Sequence, residues 1–426
     1  MRIICWFIFL IFGTCFSQNT TDYAFNFSSQ KTSEAGIHLT STLPYNAAIG
    51  YGFDFGTAYK TSFVKQGLLA SGPIYFSVNL PEGTYKVTLI LSGKNTETTV
   101  KAESKRLFIP RLKIDSHKRI TTSFVVNVFN SKIAPGYDVA LKDRELGKLD
   151  WDHKLTLEFL GNSILESLKI EQVNGVKTLF LAGDSTVTNQ DVEPWASWGQ
   201  FITAYLDDNI AVSNQASSGA SLASFRGSRM DKVLSGLKPG DFVIIEFGHN
   251  DEKIKGEGNG AWGLYTEIMT DFIKRIKEKE ATPILISPTQ RRAFDGKNLK
   301  PTHGDFPDAM RKVAENEDVT LIDLTQISTQ MYEAWGPQLS RKAFVQYAAN
   351  IFPGQKQDLE DNTHFSNFGA NEIALAVANA IRNSNSELKK YIASETPNYT
   401  PSQPNSAGSY TIPFSSRFQI EKPDGN

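Results

Sequence analysis

The sequence has 426 residues, of which 40% are hydrophobic and 21% charged, ordinary proportions for a globular protein long enough to form two or three domains. Its formal net charge of −2 excludes the strongly basic surface that a nucleic-acid or anionic-membrane binder presents. The 28 Phe, 14 Tyr and 6 Trp suit β-rich or sugar-binding surfaces and equally suit any large core.

Residues 1–17 read as an export signal rather than as structure. Arg2 precedes an apolar run from Ile3 to Phe12, and small residues then lead to a cleavage point with Cys15 and Ser17 at its two decisive positions and Gln18 first in the mature chain. The run is too short to span a bilayer as a stable helix. Lipid anchoring at Cys15 is the competing reading, and Thr14 fits such a motif poorly. The expectation is therefore a secreted or periplasmic protein without a stable membrane span. Both cysteines, Cys5 and Cys15, lie in this segment, so the mature chain is expected to rely on its core and not on disulfides.

From about Asp22 to Val173 short segments alternate with period two between turn residues. Pro73 to Leu80, the turn Pro81-Glu82-Gly83 and Thr84 to Leu91 form one such pair, and Thr122 to Phe129, Lys154 to Leu160 and Glu166 to Val173 continue the pattern. None shows a helical period, so residues 18–174 are expected to form an all-β sandwich. Gly50-Tyr51-Gly52-Phe53-Asp54-Phe55-Gly56 resembles the opening of jelly-roll modules of the galactose-binding-like class. Tyr51, Phe53 and Phe55 could stack on sugar rings, but their alternation is read more simply as lining the sandwich core.

At Asn174-Gly175 the pattern changes to apolar runs alternating with helical stretches. Strands are expected at Thr178–Ala182, Ile210–Ser213, Asp241–Phe247, Pro283–Ser287 and Thr320–Leu324. Trp198, Ile202 and Tyr205 recur at helical spacing, as do Met230, Val233, Leu234 and Leu237 before the stop Lys238-Pro239-Gly240. Further helices are expected at about Leu264–Lys279, Phe306–Asn316 and Asn367–Ile381. Such alternation implies an α/β domain, residues 175–392, with about five parallel strands in flavodoxin-like order and both faces covered. Residues 393–426 turn to Ser, Thr, Asn and Pro and read as a polar tail, either linker or disordered; the alternation from Ser409 to Ile420 leaves open a return as a strand.

In open α/β sheets ligands bind at the carboxyl ends of the strands. The first expected strand ends in Gly183-Asp184-Ser185, where a helix could begin. Asp184 or Ser185 could be an N-cap, or Ser185 a nucleophile. A nucleophilic serine needs a base, a group to orient the base, and donors for an oxyanion. Of the six histidines, His38, His117 and His153 lie in the β-rich part and His303 in a polar loop. His364 lies just before the final helix, and Asp361, three residues ahead, is placed to accept its Nδ1–H and leave Nε2 for Ser185. A turn aspartate and a surface histidine are the bland alternatives. Gly219 after the second strand lets the backbone approach a substrate, and Asn250 after the third offers a side-chain N–H donor. Singly these are ordinary turns. Together, three consecutive strands end in residues suited to roles in one acyl transfer.

Gly183-Asp184-Ser185, Gly219, Gly248-His249-Asn250-Asp251 and Asp361-x-x-His364 resemble, in order and position, the four blocks of the SGNH/GDSL hydrolases, over about residues 175–385. Trp198-Gly199-Gln200, Leu237-Lys238-Pro239-Gly240-Asp241, Arg291-Arg292 and Asp361-Asn362-Thr363-His364-Phe365 resemble the rhamnogalacturonan acetylesterase branch. One departure is at Ala220 and Ala223, where members of that branch commonly carry arginines; Arg226 and Arg229 lie nearby.

The resemblance implies a serine carbohydrate esterase that removes acetyl groups from an acetylated, rhamnogalacturonan-type pectic polysaccharide. Ser185 would be the nucleophile, His364 the base and Asp361 its orienting group. The backbone N–H groups of Ser185 and Gly219 and the Asn250 side chain would form the oxyanion hole. Asp184 and Asp251 are read as structural, and His249 as either a substrate contact or turn packing. No His, Asp and Glu cluster has metal-ligand spacing and no phosphate-cradling glycine loop is present, so neither cofactor nor metal is expected. The competing readings are an acetyl-xylan or other acyl-ester hydrolase of the same fold, and a catalytically silent glycan-binding protein.

Overall fold

The computed structural model describes residues 22–424 apart from 32, 34 and 117; the expected export signal and Cys15 lie outside the described residues. Two large sheets and a small hairpin, Lys132–Ala134 with Tyr137–Asp138, precede Asn174 among the described residues. One is seven-stranded, with Lys118–Val128, Gly83–Gly93, Ile164–Gln172, Tyr23–Phe27 and Ile37–Leu39 as neighbours in that order. The other is five-stranded, ordered Tyr51–Asp54, Ile74–Asn79, Lys154–Gly161, Thr96–Ala102 and Arg106–Ile114. Alternate residues of both sheets, among them Phe25, Val87, Leu89, Phe76, Val78, Leu155 and Leu157, form one buried cluster, as two facing half-apolar sheets must. Phe53 is buried in this cluster and Tyr51 packs at its margin. Phe55 instead lies outside it, with the Arg417 guanidinium 5.1 Å from its ring centroid.

The chain then forms five parallel strands: Lys177–Gly183, Ile210–Asn214, Phe242–Glu246, Thr282–Ile286 and Thr320–Ile322. In space the second lies outside the first, followed by the third, fourth and fifth, which is the flavodoxin-like order 2-1-3-4-5. These strands are apolar on both sides because helices cover both faces. On one face lie α1 (Trp198–Phe201), α6 (Leu324–Leu339) and α7 (Asn367–Arg382). On the other lie α2 (Leu222–Ser228), α3 (Met230–Gly236), α4 (Thr266–Glu278) and α5 (Phe306–Glu317). Among the described residues no helix is long and apolar enough to cross a membrane.

Four elements differ from expectation. Helices α2 and α6 follow where the sequence reading expects only loop. The turn after the first strand does not open a helix: the N–H groups of Val187 and Thr188 bond back to the Asp184 carbonyl at 3.2 and 2.9 Å, and α1 starts only at Trp198. Residues 393–424 form no helix or strand, yet they are tied to α7. Its Glu372, fully buried, accepts bonds from the Tyr399 and Tyr410 hydroxyls and the Asn405 amide, and Ile412 enters the core. Almost every residue of α7 is buried, one side against the sheet and the other under this segment. An apolar helix covered all round needs such a second partner.

Candidate active site

Ser185 sits on the turn after the first strand, its carbonyl accepting the Gln190 amide at 3.0 Å. Asp184 shapes this turn by accepting the Thr186 N–H and hydroxyl, each at 2.9 Å. Helix α1 holds it from below. An added Cβ at Gly199 would lie 2.1 Å from the Val187 carbonyl oxygen, so only glycine permits that approach. Ser197 donates its hydroxyl to the same carbonyl at 3.0 Å.

His364 and Asp361 belong to Leu359–Phe365, a strand paired with Phe344–Tyr347 that the sequence reading does not include. One Asp361 oxygen accepts the N–H groups of Thr363 and His364 at 2.7 and 2.8 Å. The other lies 2.8 Å from His364 Nδ1, and His364 Nε2 lies 3.0 Å from Ser185 Oγ. Burial alone would raise the Asp361 pKa, but these bonds and the His364 charge hold it well below the usual carboxylate range. An ionised Asp361 keeps the proton on Nδ1, which leaves Nε2 to accept from the serine. Trp195 packs edge-on against the His364 ring at 5.8 Å. All three residues of this chain are buried, Ser185 to 2% relative exposure.

Two further loops border the serine. Gly219 has φ +75°, a left-handed conformation that side chains other than glycine rarely adopt. Its neighbour Ser218 accepts the Gln190 amide on its hydroxyl at 3.3 Å, which links this loop to the serine turn. Asn250 donates Nδ2 to the Ala220 carbonyl and accepts Lys253 Nζ on its oxygen, both at 3.0 Å, so its amide is fixed in orientation on the same loop. Asp251 accepts the Leu222 N–H at 2.8 Å at the start of α2, and burial raises its pKa to about 7. Asp184 and Asp251 each accept a nearby backbone N–H. His249 is fully buried, its Nδ1 3.4 Å from Asp184 and its ring edge-on to His303. Burial lowers its pKa to about 4 against the pull of Asp184, so it is neutral at pH 7. Burial alone does not separate turn packing from substrate contact, because Ser185 is buried to the same degree.

Other residues around the site carry no signal in the sequence reading. Glu246, at the end of the third strand, lies under the nucleophile turn, accepts Trp198 Nε1 at 2.5 Å and the Thr289 N–H at 3.2 Å, and has Oε1 3.3 Å from Thr186 Oγ1. Burial, and then the charge of Asp184, raise its pKa to about 8. The sandwich also reaches the site. Glu145 accepts the Ser217 hydroxyl at 3.1 Å and pairs with Arg229 at 2.7 Å, Lys142 donates to the Ser218 carbonyl, and Lys148 donates to the Asn189 carbonyl at 3.1 Å. Arg229 is therefore committed to Glu145 and is not an exposed replacement for the arginines missing at Ala220 and Ala223; Arg226 is exposed. Arg291 pairs with Glu252, and Arg292 donates to Asn362 at 3.0 Å, which ties the strand of Asp361 to the fourth strand's loop.

Among the described residues no group of three or more His, Cys, Asp or Glu is arranged to hold a metal ion. The arrangement can perform acyl transfer: an alcohol, a base aligned on it, an acid aligned on the base, and two adjoining loops where an oxyanion would emerge.

Residues 181–371 match the GDSL-like Lipase/Acylhydrolase family. Rhamnogalacturonan acetylesterase RhgT of Bacillus subtilis (strain 168) is 37% identical over 220 residues, covering 51% of this chain and 94% of that protein. The uncharacterized esterase YxiM of the same strain is 27% identical over 340 residues, or 74% of this chain and 82% of YxiM. The crystal structure of YxiM aligns with 87% of this chain and 98% of its own at 24% identity and a TM-score of 0.44.

Proposed function

Because the chain belongs to the GDSL-like lipase/acylhydrolase family, we propose that it is a carbohydrate esterase removing acetyl groups from a rhamnogalacturonan-type pectic polysaccharide through a Ser-His-Asp acyl-enzyme. The observation that carries the chemistry is the unbroken line from Ser185 Oγ to His364 Nε2 at 3.0 Å and from His364 Nδ1 to Asp361 at 2.8 Å.

In this reading Ser185 Oγ attacks the acetyl carbonyl carbon as His364 Nε2 takes its proton. The oxyanion is held by the backbone N–H groups of Ser185 and Gly219 and by Asn250 Nδ2. The bond to the sugar oxygen then breaks and His364 returns the proton to that oxygen. Water, deprotonated by His364, attacks the acetyl-serine, and acetate leaves with Ser185 restored. Asp361 stays ionised throughout, orienting the imidazole and stabilising its protonated form. What supports the choice of sugar is the identity to RhgT along 94% of that protein's length. We also propose that residues 1–17 direct export; the mature protein should begin at Gln18 by N-terminal sequencing.

The test is acetate release from a panel of acetylated polymers. Acetylated rhamnogalacturonan should be the best substrate, and a preference for acetyl-xylan would replace the pectic assignment. Ser185→Ala should abolish release, and Asn250→Ala should lower turnover on an activated acetyl ester by roughly 10²–10³. No adduct on Ser185 with a serine-reactive organophosphonate, together with no acetate release, would favour a glycan-binding protein.

A further inference from the structure

The last stretch of the chain passes directly behind the base. Ser415 N–H bonds Glu193 at 2.9 Å, Glu193 N–H bonds the Arg417 carbonyl at 2.8 Å, and Gln419 N–H bonds the Glu193 carbonyl at 2.9 Å. Trp195, whose ring edge meets His364, donates Nε1 to the Gln419 carbonyl at 2.9 Å. Beyond this, Arg144 of the sandwich donates to the Lys422 carbonyl at 3.1 Å and to Asp424 at 2.7 Å. Lys422 is thus held on both sides. Its Nζ lies 3.2 Å from the Asp361 oxygen that also lies 2.8 Å from His364 Nδ1.

We propose that Lys422 is a positioning residue of the active site, an ammonium that shares the Asp361 carboxylate with His364 and so sets how readily the base is protonated. The inference rests on the Ser185–His364–Asp361 reading. The Lys422 side chain is 47% exposed and Asp361 only 3%, so the cation reaches in from solvent onto a buried acid. A positive charge there opposes a second positive charge on the imidazole, which keeps the base neutral at lower pH. It also leaves Asp361 compensated while His364 is neutral.

Other charges also face the pair. Lys253, from the loop after the third strand, bonds the neutral amide of Asn250 and feels the charge of Lys422, and Arg292 bonds the neutral amide of Asn362. Glu360, on the strand of Asp361, lies 3.8 Å from Arg341. Behind Trp195, Glu193 is paired with Lys101 and Lys105, and Arg417 with Asp191.

The test is the pH profile of kcat/KM for p-nitrophenyl acetate, a small neutral ester whose approach does not depend on surface charge. In Lys422→Met the acid limb should move to higher pH by roughly half to one unit, the size expected of one partly screened charge at this range. Turnover on the alkaline plateau should stay within about threefold, and Lys422→Arg should restore the limb. A Lys422→Met profile that superimposes on that of the unsubstituted protein overturns the inference. Ser185→Ala is run beside them: if it abolishes turnover while the profiles superimpose, the role of Lys422 alone falls. Full activity in Ser185→Ala would remove the triad reading and the role of Lys422 with it.

Discussion

Two buried glutamates lie on either side of the nucleophile turn, and they are treated in opposite ways. Glu193 has Lys101 and Lys105 Nζ at 3.5 and 2.9 Å, and it also accepts the Ser415 N–H and the Asn367 amide. Burial opposes its charge, but the two lysines and these bonds outweigh that and lower its pKa. Glu246 is buried as completely, yet its neighbours are uncharged, an indole N–H, a backbone N–H and a hydroxyl oxygen, and its pKa rises to about 8. Equal burial therefore yields an ionised acid in one place and a protonated acid in the other. Partners decide the charge state. The ionised one joins the sandwich, the serine loop and the C-terminal segment. The protonated one supports the floor of the site without adding a second negative charge beside Asp184.

Removing each acid separates these roles. The largest effect is expected from Glu193→Gln, which leaves two buried lysines without their counter-charge and should cost about 3–5 kcal/mol by denaturant unfolding. Glu246→Gln should cost only about 1–2 kcal/mol, since one hydrogen bond is mismatched and no charge is stranded. Equal costs would erase the distinction.

The pH dependence should differ in sign as well. The folded pKa of Glu246 is raised, so the stability it contributes is complete below its unfolded value near 4.5 and is lost as pH rises toward about 8. The deficit of Glu246→Gln relative to the unsubstituted protein should therefore be greatest at the acid end of the range, below about pH 4.5, and shrink toward pH 8. The folded pKa of Glu193 is lowered, so its contribution is present above about 4.5 and is lost as pH falls through the folded value. The deficit of Glu193→Gln should stay full at pH 7 and shrink only in acid. Thermal melting from pH 4 to 8.5 reads both; parallel curves would refute the assigned charge states.

How far the sequence reaches follows from the same contrast. Ser185, Gly219, Asn250, Asp361 and His364 are legible because each sits at or near a strand end or before a helix, and the apolar runs locate those ends. The five strands and their order follow from the same runs. The supporting groups are not legible, because their partners are remote in the chain: Glu145 and Arg229 are 84 residues apart, and Lys101 and Ser415 are 314 apart. No local period records such a pairing. Helix α6, by contrast, does carry a local signal, since Leu324, Ile327, Met331, Tyr332 and Trp335 recur at helical spacing ahead of the break at Gly336 and Pro337. Residues 393–424 resemble a linker in composition, yet a few side chains, Tyr399, Asn405, Tyr410 and Ile412, suffice to anchor them on α7. Composition averages over such anchors.

The smallest effect is expected where contact geometry is best and burial least. Arg111 grips Glu97 with Nε and one terminal nitrogen, both at 2.9 Å, a tighter fit than the 3.5 Å between Lys101 and Glu193. Judged by distance, the Arg111 pair would be the stronger. Its side chains, however, are 38% and 37% exposed, against 1% and 0% for Lys101 and Glu193. Water solvates either Arg111 or Glu97 once its partner is gone, so neither is left as an uncompensated buried charge. A double-mutant cycle of Arg111→Ala and Glu97→Ala should therefore give a coupling of only about 0.2–1 kcal/mol, falling further in about 1 M salt as screening shortens the reach of the charges. A coupling as large as the loss in Glu193→Gln would mean that contact geometry, and not burial, ranks the ion pairs of this protein.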